Sequence, residues 1–283
     1  MSLQNVAVLV RLNISQWTAR KYDRRVTQEV SDSHGTVGEV GRYNKVLLPM
    51  SDLLGDIHRK ATKVRTEYYA NTLGWDTDGI QLLPSANYMD YVEMFNEHKA
   101  EWNVLVDKFV TDYPQLKLDA ERLLNSMYNE ADYPESYEIR DKFGMDLTVM
   151  PVPSTDFRVE IGDEELERIN AEAKRTVEVA YKASMKEVWQ RLYDKVETMN
   201  AKLSDETAVF RDTLVENVRE ICEIVPRMNF DNDPDLAHIC QQVDTLLANN
   251  HPDALRNDPI KRRQKASESK DILNKMSVFM EGK

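Results

Sequence analysis

One apolar stripe dominates this sequence and limits the folds open to it. Between residues 166 and 203, apolar or small side chains recur at steps of three or four without a break, which is the spacing of one helix face. The stripe consists of Leu166, Ile169, Ala173, Val177, Ala180, Ser184, Val188, Leu192, Val196, Met199 and Leu203. Three carboxylates at residues 163–165 precede it, and negative charge favours a helix amino terminus. We predict a helix of about 40 residues, roughly 60 Å long, which exceeds one small core.

The rest of the chain also favours a mainly α-helical fold. Charged residues make up 30% of the 283 residues, with only nine Gly and ten Pro, as in helix-rich proteins. Residues 6–14 alternate with period two and predict a strand. Residues 144–161 alternate in the same way around two prolines, which indicates a β-hairpin. The predicted class is mainly α (α+β): a helical bundle, a small antiparallel sheet built from the N-terminal strand and this hairpin, and the long helix.

Further helices follow from the same spacing rule. We predict helices over residues 17–30, 51–74, 85–114, 115–130 and 207–225, the first of them basic and the second, third and fourth forming one layer. Two more helices begin where an aspartate cap precedes proline, at Asp233-Pro234 and Asp258-Pro259. We divide the chain into an α+β domain at residues 1–162 and a helical region at residues 163–283.

The motifs that would indicate a metal site are incomplete. Residues 231–235 have the acidic spacing of a calcium loop, but Leu236 and Gln242 stand where glycine and glutamate are required. A helix cap is the better interpretation. His98 lies between Phe95 and Trp102 on an apolar stripe, so a core or boundary histidine is favoured over a ligand.

Catalytic motifs are incomplete in the same way. The glycine-rich residues 35–41 match neither a P-loop nor a dinucleotide fingerprint. Cys222 and Cys240 lie on helical stripes as buried thiols, and two cysteines fit a reducing cytoplasm better than a disulfide framework. The chain has no stretch of eighteen uncharged apolar residues and is expected to be soluble. We predict a protein that is not an enzyme and uses no metal or cofactor.

Charge is unevenly distributed and indicates where a partner binds. The net charge is −12, yet the first fifty residues carry seven basic and four acidic groups, and residues 251–283 carry eight and five. The candidate partner-binding residues are two basic clusters and two aromatics of the long helix: Arg20, Lys21, Arg24, Arg25, Lys261, Arg262, Arg263, Lys265, Trp189 and Tyr193. An acidic protein surface, including a second copy of this chain, is the favoured partner. A nucleic acid backbone is the alternative.

Several strings in the first 160 residues resemble an uncharacterised protein family of tailed bacteriophages and prophages. They lie at residues 12–21, 42–45, 82–88, 132–134 and 149–153, and the likeness continues loosely into the long helix. The genes of that family look like neighbours of genes for a MoxR-type AAA+ ATPase and a von Willebrand A-domain protein, so its members look like functional companions of these two proteins. The resemblance therefore implies a non-catalytic adaptor or accessory subunit in the host bacterial cytoplasm, acting with such an ATPase or on a host protein. It carries over no active-site residue.

Overall fold

The computed structural model describes residues 3–38, 40–75, 79–154 and 162–281, and it confirms a mainly α-helical chain with a small antiparallel sheet. The α-helices are α1 (Arg24–Ser33), α2 (Asp52–Asn71), α3 (Ser85–Leu124), α4 (Asp163–Ser204), α5 (Thr213–Met228), α6 (Pro234–Val243), α7 (Pro252–Asn257) and α8 (Pro259–Glu281). The strands are β1 (Ala7–Ser15), β2 (Arg20–Tyr22), β3 (Asn44–Val46), β4 (Leu73–Gly74), β5 (Ile80–Pro84) and β6 (Gly144–Met150).

The strands form two sheets. The larger has the order β4-β5-β1-β6, and β1 runs antiparallel to β5 with Ala7 opposite Pro84. The N-terminal strand and the first arm of the predicted hairpin therefore share a sheet, while the second arm, at residues 157–161, lies outside the described residues. Sequence analysis missed β4 and β5, because a strand of five residues with consecutive buried leucines, Leu82 and Leu83, shows no alternation.

The long helix is confirmed as α4, which has 42 residues. Its stripe is buried from Ala180 to Leu203. Residues 163–179 are each at least partly exposed, although the apolar stripe continues through them. Among the described residues, full burial is thus confined to the carboxyl-terminal part of the helix, and Val177 packs at the edge of that core. This agrees with the expectation that the length of the helix exceeds one core.

The predicted break at Pro114 is wrong. α3 runs through Pro114 to Leu124, so residues 115–124 continue α3 instead of forming a separate helix. Proline removes one backbone hydrogen bond, but tertiary contacts hold the chain in line. The Tyr113 ring packs 5.8 Å from Trp17, and its hydroxyl donates a 2.8 Å hydrogen bond to the Pro134 carbonyl. Packing of this kind is not visible in local spacing.

The predicted basic helix over residues 17–30 is also wrong in its first half. Arg20 and Lys21 lie on β2, and α1 begins only at Arg24. Ala19 has a φ of 49°, in the left-handed region, which no helical residue adopts. Asp23 then starts α1 as its cap, because its carboxylate accepts a 3.1 Å hydrogen bond from the Val26 amide.

The chain forms two compact units that are not consecutive segments. One contains Met1–Arg11, Glu67–Val92 and Thr148–Lys283, and its core centres on Trp189, Leu192 and Val218. The other contains Leu12–Thr66 and Glu93–Leu147, and its core includes Trp102 and Phe109. These two units are grouped by contacts, and they do not coincide with the predicted domains at residues 1–162 and 163–283. The predicted domains are defined by whether each folds alone, which contacts do not test, so they stay a prediction.

The two aspartate-proline starts are confirmed. Asp233 accepts hydrogen bonds from the Asp235 and Leu236 amides at the start of α6, and Asp258 accepts from Ile260 and Lys261 at the start of α8. The helix predicted from residue 207 begins later, at Thr213. In the described part of the chain, no helix combines the length and apolar character needed to cross a membrane.

Candidate interaction surface

The first basic cluster lies on a small two-stranded sheet and the helix that follows it. In this sheet Arg20 pairs with Val46 and Tyr22 pairs with Asn44. Paired residues and alternate residues of a strand share a face, so Arg20, Tyr22 and Val46 lie on the same side. The Arg42 guanidinium lies 5.8 Å from the centre of the Tyr22 ring, a cation–π distance. Arg20, Tyr22 and Arg42 therefore bring two cations and one aromatic ring to the same face.

Helix α1 and the segment after it enclose a shallow cleft beside this face. The chain returns along α1, where the Tyr43 amide donates a 3.0 Å hydrogen bond to Oγ1 of Thr27 and the Asp23 amide donates to the Tyr43 carbonyl at 2.9 Å. The cleft has a volume of about 300 Å³. Its lining consists of Thr27, Val30, Ser31, His34, Thr36, Val40, Gly41, Arg42 and Tyr43. Arg42 belongs both to this cleft and to the face of β2 and β3, so the two are continuous.

Apolar side chains on α1 and in the segment after it are exposed, and of these Val30 and Val40 line the cleft. Val37 is 96% exposed and Val40 66%, and every residue of α1 is at least partly exposed. Exposed apolar side chains that cluster and have a polar rim are typical of protein-binding sites. We call this region the basic–apolar surface; it comprises Arg20, Tyr22, Arg24, Arg25, Val30, Val37, Val40, Arg42, Tyr43 and Val46. Lys21 pairs with Lys45 on the opposite face of the small sheet and lies outside it.

A buried ion pair fixes the base of the basic–apolar surface. Lys45 of β3 is 4% exposed, and its Nζ lies 2.8 Å from Asp132 and donates a 2.6 Å hydrogen bond to the Met127 carbonyl. The Asp23 carboxylate lies 4.0 Å from the same Nζ. Because a buried charge needs partners, these contacts hold β3 and the start of α1 against residues 127–132. The strand and helix that carry the basic–apolar surface are therefore anchored to residues 127–132.

Tyr133 strengthens this anchoring. Its hydroxyl donates a 2.8 Å hydrogen bond to the Leu47 carbonyl, one residue beyond β3. Burial raises the pKa of Tyr133 to about 12, and the neighbouring Tyr128 and Asp132 act in the same direction. The phenol is thus held in its neutral, donating form at ordinary pH.

The second basic cluster is engaged within the chain. Arg262 donates hydrogen bonds to the carbonyls of Lys202, Leu203, Asp205 and Ala208, where α4 ends. Helix ends leave carbonyls without helical donors, so Arg262 acts as a carboxyl-terminal cap. Arg263 lies 3.2 Å from the Glu206 carboxylate, and Lys265 lies 2.6 Å from the Glu268 carboxylate. Lys261, the remaining member, is half-buried. These intramolecular contacts make the cluster less suited to a partner than the basic–apolar surface.

The two aromatics of the long helix belong to the core. Trp189 is 1% exposed, and its indole donates a 3.1 Å hydrogen bond to Asp233. Tyr193 is half-buried and packs against the same hydrophobic core as Trp189. Trp189 also lines a cleft of about 410 Å³ together with Tyr181 and Met280. Burial and a hydrogen bond with Asp231 raise the pKa of Tyr181 to about 12. This cleft is where the otherwise buried Trp189 meets a solvent-filled space.

His98 and Asp233, which the sequence offers as metal ligands, have other contacts in the structure. His98 Nδ1 lies 2.7 Å from Nζ of Lys60, and Lys60 also contacts Glu101. That lysine holds the pKa of the Glu101 carboxyl below its usual range. The Asp233 carboxylate caps α6, as predicted in place of a calcium loop. Across residues 3–38, 40–75, 79–154 and 162–281, no group of three or more His, Cys, Asp or Glu side chains is arranged to hold a metal ion.

Sequence reasoning missed the apolar half of the basic–apolar surface. Val37 and Val40 stand in a glycine-rich stretch without periodicity, so no spacing rule assigns them to a face. Their apolar character between glycines was the available signal. Comparison with protein-family models, curated proteins and solved structures finds no match to this chain.

Proposed function

We propose that this protein is a non-catalytic adaptor or accessory subunit whose basic–apolar surface binds an acidic segment of a partner protein. The observation that carries the proposal is the exposure of Val37, Val40 and Val30 beside Arg20, Arg24 and Arg42. The surface is basic on a chain whose net charge is −12, so it selects partners that present carboxylates. A second copy of this chain is one such partner.

The apolar component favours a protein over a nucleic acid. Nucleic acid sites combine cations with aromatic rings that stack on bases, whereas aliphatic side chains gain little from a phosphate backbone. Here the exposed set includes the aliphatic side chains of Val30, Val37 and Val40. Nucleic acid binding through Arg20, Lys21, Arg24 and Arg25 remains the alternative function.

The cellular setting of the proposal comes from the sequence resemblance. We assign the chain to a bacteriophage or prophage and to the host bacterial cytoplasm, where a MoxR-type AAA+ ATPase or a host protein is the expected partner. The long helix α4 suits an accessory role, because residues 163–179 carry an apolar stripe that the core leaves partly exposed. A second contact for an assembled complex is available there.

A pull-down with matched surface variants tests the proposal. Tagged protein is recovered from phage-infected bacteria after nuclease treatment, as wild type, as Val30→Asp/Val40→Asp and as Val209→Asp. Val209 is 89% exposed and lies outside the surface, so it controls for added charge. We expect one stoichiometric protein partner with wild type and Val209→Asp, and at least tenfold less with the double variant. Equal recovery by all three contradicts the proposal.

Retention on DNA tests the alternative function. Nucleic acid binding through the basic cluster predicts retention on double- or single-stranded DNA that falls steeply with salt and is lost on changing Arg20, Arg24 and Arg25 to Ala. The protein-binding proposal predicts elution at low salt for wild type and variant alike. Strong, arginine-dependent retention favours the alternative.

A further inference from the structure

The two cysteines, which lie eighteen residues apart in sequence, face each other between α5 and α6. The Cys222 sulfur lies 3.9 Å from the Cys240 carbonyl oxygen, and the Cys240 sulfur lies 3.6 Å from the Cys222 carbonyl oxygen. The contact is reciprocal, so each side chain reaches across to the backbone of the other residue. Both cysteines are free thiols.

The backbone is irregular at the equivalent position after each cysteine. Pro226 follows Cys222 by four residues inside α5 and has no N–H to donate to the Cys222 carbonyl. Asp244 follows Cys240 by four residues, and its amide is shared between the Cys240 and Gln241 carbonyls where α6 gives way to a π-helical turn, Asp244–Ala248. Irregular turns of this kind are frequent at functional sites. The Cys222 carbonyl therefore has no amide donor four residues on, whereas the Cys240 carbonyl accepts both the shared Asp244 amide and the Cys222 thiol.

The pair lies at a cleft, where Cys222 is half-buried and Cys240 is 5% exposed. Cys222 and Cys240 line a cleft of about 430 Å³, together with Val225, Pro226, Asn229 and Asp244 among others. A tripeptide thiol or disulfide is of a size that such a cleft admits at its mouth. The neighbouring Cys222 thiol holds the pKa of Cys240 below its usual range, against the effect of burial, while Cys240 and burial raise the pKa of Cys222, so Cys240 is the thiol that ionises first.

We propose that Cys222 and Cys240 form a dithiol modification site that exchanges with low-molecular-weight disulfides to give an intramolecular disulfide. One thiolate attacks a sulfur of the small disulfide, forms a mixed disulfide and releases one thiolate of the reagent. The second cysteine, as its thiolate, attacks the mixed disulfide at the protein sulfur and releases the other. The balance is two protein thiols and one small disulfide giving one protein disulfide and two small thiols. The product links α5 to α6.

Redox titration of the full chain tests this proposal. Native protein is equilibrated in buffers of graded oxidised to reduced glutathione, quenched with N-ethylmaleimide and analysed by intact mass and peptide mapping. We expect one product lacking two hydrogens, with the peptides of Cys222 and Cys240 joined. Its equilibrium constant should be at least about tenfold larger than that of the urea-unfolded chain, because the fold brings the thiols together.

Single variants give the matched controls. Cys222→Ser and Cys240→Ser should each stop at a mixed disulfide with glutathione and lose the two-hydrogen product. Three results overturn the proposal: full alkylation of both thiols across the whole titration, glutathione adducts on both cysteines of the wild type, or an equilibrium constant no larger than in urea.

Discussion

The indole Nε1 of Trp189 donates a 3.1 Å hydrogen bond to Oδ2 of Asp233. The other oxygen of the same carboxylate accepts hydrogen bonds from the Asp235 and Leu236 amides, 3.0 and 3.4 Å away. One buried side chain therefore both caps α6 and ties it to the long helix α4. The acidic string at residues 231–235 thus has a structural explanation.

Replacing Asp233 should destabilise the protein strongly. Asp233→Ala removes a helix cap, which contributes about 1 kcal/mol, and leaves the buried indole N–H without this acceptor, which costs about 1–3 kcal/mol more. Asp258→Ala, at the exposed cap of α8, is the matched control and should cost about 1 kcal/mol. Urea unfolding measures both. A double-mutant cycle with Trp189→Phe should show coupling of at least about 0.5 kcal/mol, and strict additivity would contradict the link.

Adjacent arginines of α8 should differ in their effect on stability. Arg262→Ala removes hydrogen bonds to several carbonyls at the end of α4 and should lower the free energy of unfolding by about 1–3 kcal/mol. Arg263→Ala removes only an exposed ion pair with Glu206 and should change it by less than about 0.5 kcal/mol. Thermal unfolding of both variants makes the comparison. Equal losses would refute a capping role for Arg262.

The buried ion pair beneath the basic–apolar surface should depend on both partners. Lys45→Met leaves the Asp132 carboxylate poorly solvated without its cation and should cost about 3–5 kcal/mol. Lys45→Met/Asp132→Leu removes both charges and should recover at least about half of that loss. Denaturant midpoints at one pH suffice to measure this. A double variant as unstable as the single one would show that Asp132 is not the group that the lysine neutralises.

Stability should fall at alkaline pH in part through Tyr133. Its pKa is raised to about 12 in the folded chain, whereas a tyrosine in an unfolded chain titrates near about 10. The folded state holds this proton more tightly, so its stabilising effect is complete below about pH 10 and is lost as the pH rises toward 12. Tyr133→Phe should be less stable than wild type at pH 8 and lose less stability over the alkaline range. Equal slopes for the two proteins would contradict this assignment.

The sequence predicted those parts of the fold that depend on long-range periodicity and on caps. The stripe of α4 and the starts of α6 and α8 at Asp233 and Asp258 are correct because each rests on local chemistry that tertiary structure did not override. Pro114 was misleading for the opposite reason. Buried aromatic contacts around Tyr113 hold α3 continuous, and those contacts come from residues distant in sequence.

The candidate site was predicted only in its charged half. Arg20, Lys21, Arg24 and Arg25 form a run of cations in the sequence, and the structure pairs Arg20 with the exposed Val46, which no spacing rule singles out. Arg262 shows the converse, since a cation in a similar run caps a helix. Charge in a sequence therefore identifies candidates, and only the backbone around them separates a binding surface from a cap.

Site-specific photo-crosslinking in infected bacteria tests the central claim most directly. A photoreactive amino acid is placed at Val40, inside the basic–apolar surface, and in a second variant at Val209, an exposed valine outside it. Our account predicts a discrete protein adduct from position 40 that is absent from position 209 and is reduced at least tenfold when Arg20, Arg24 and Arg42 are changed to Glu. The account would be contradicted if the variant with the photoreactive residue at position 40 gave only nucleic acid adducts, or gave the same adducts as the variant at position 209.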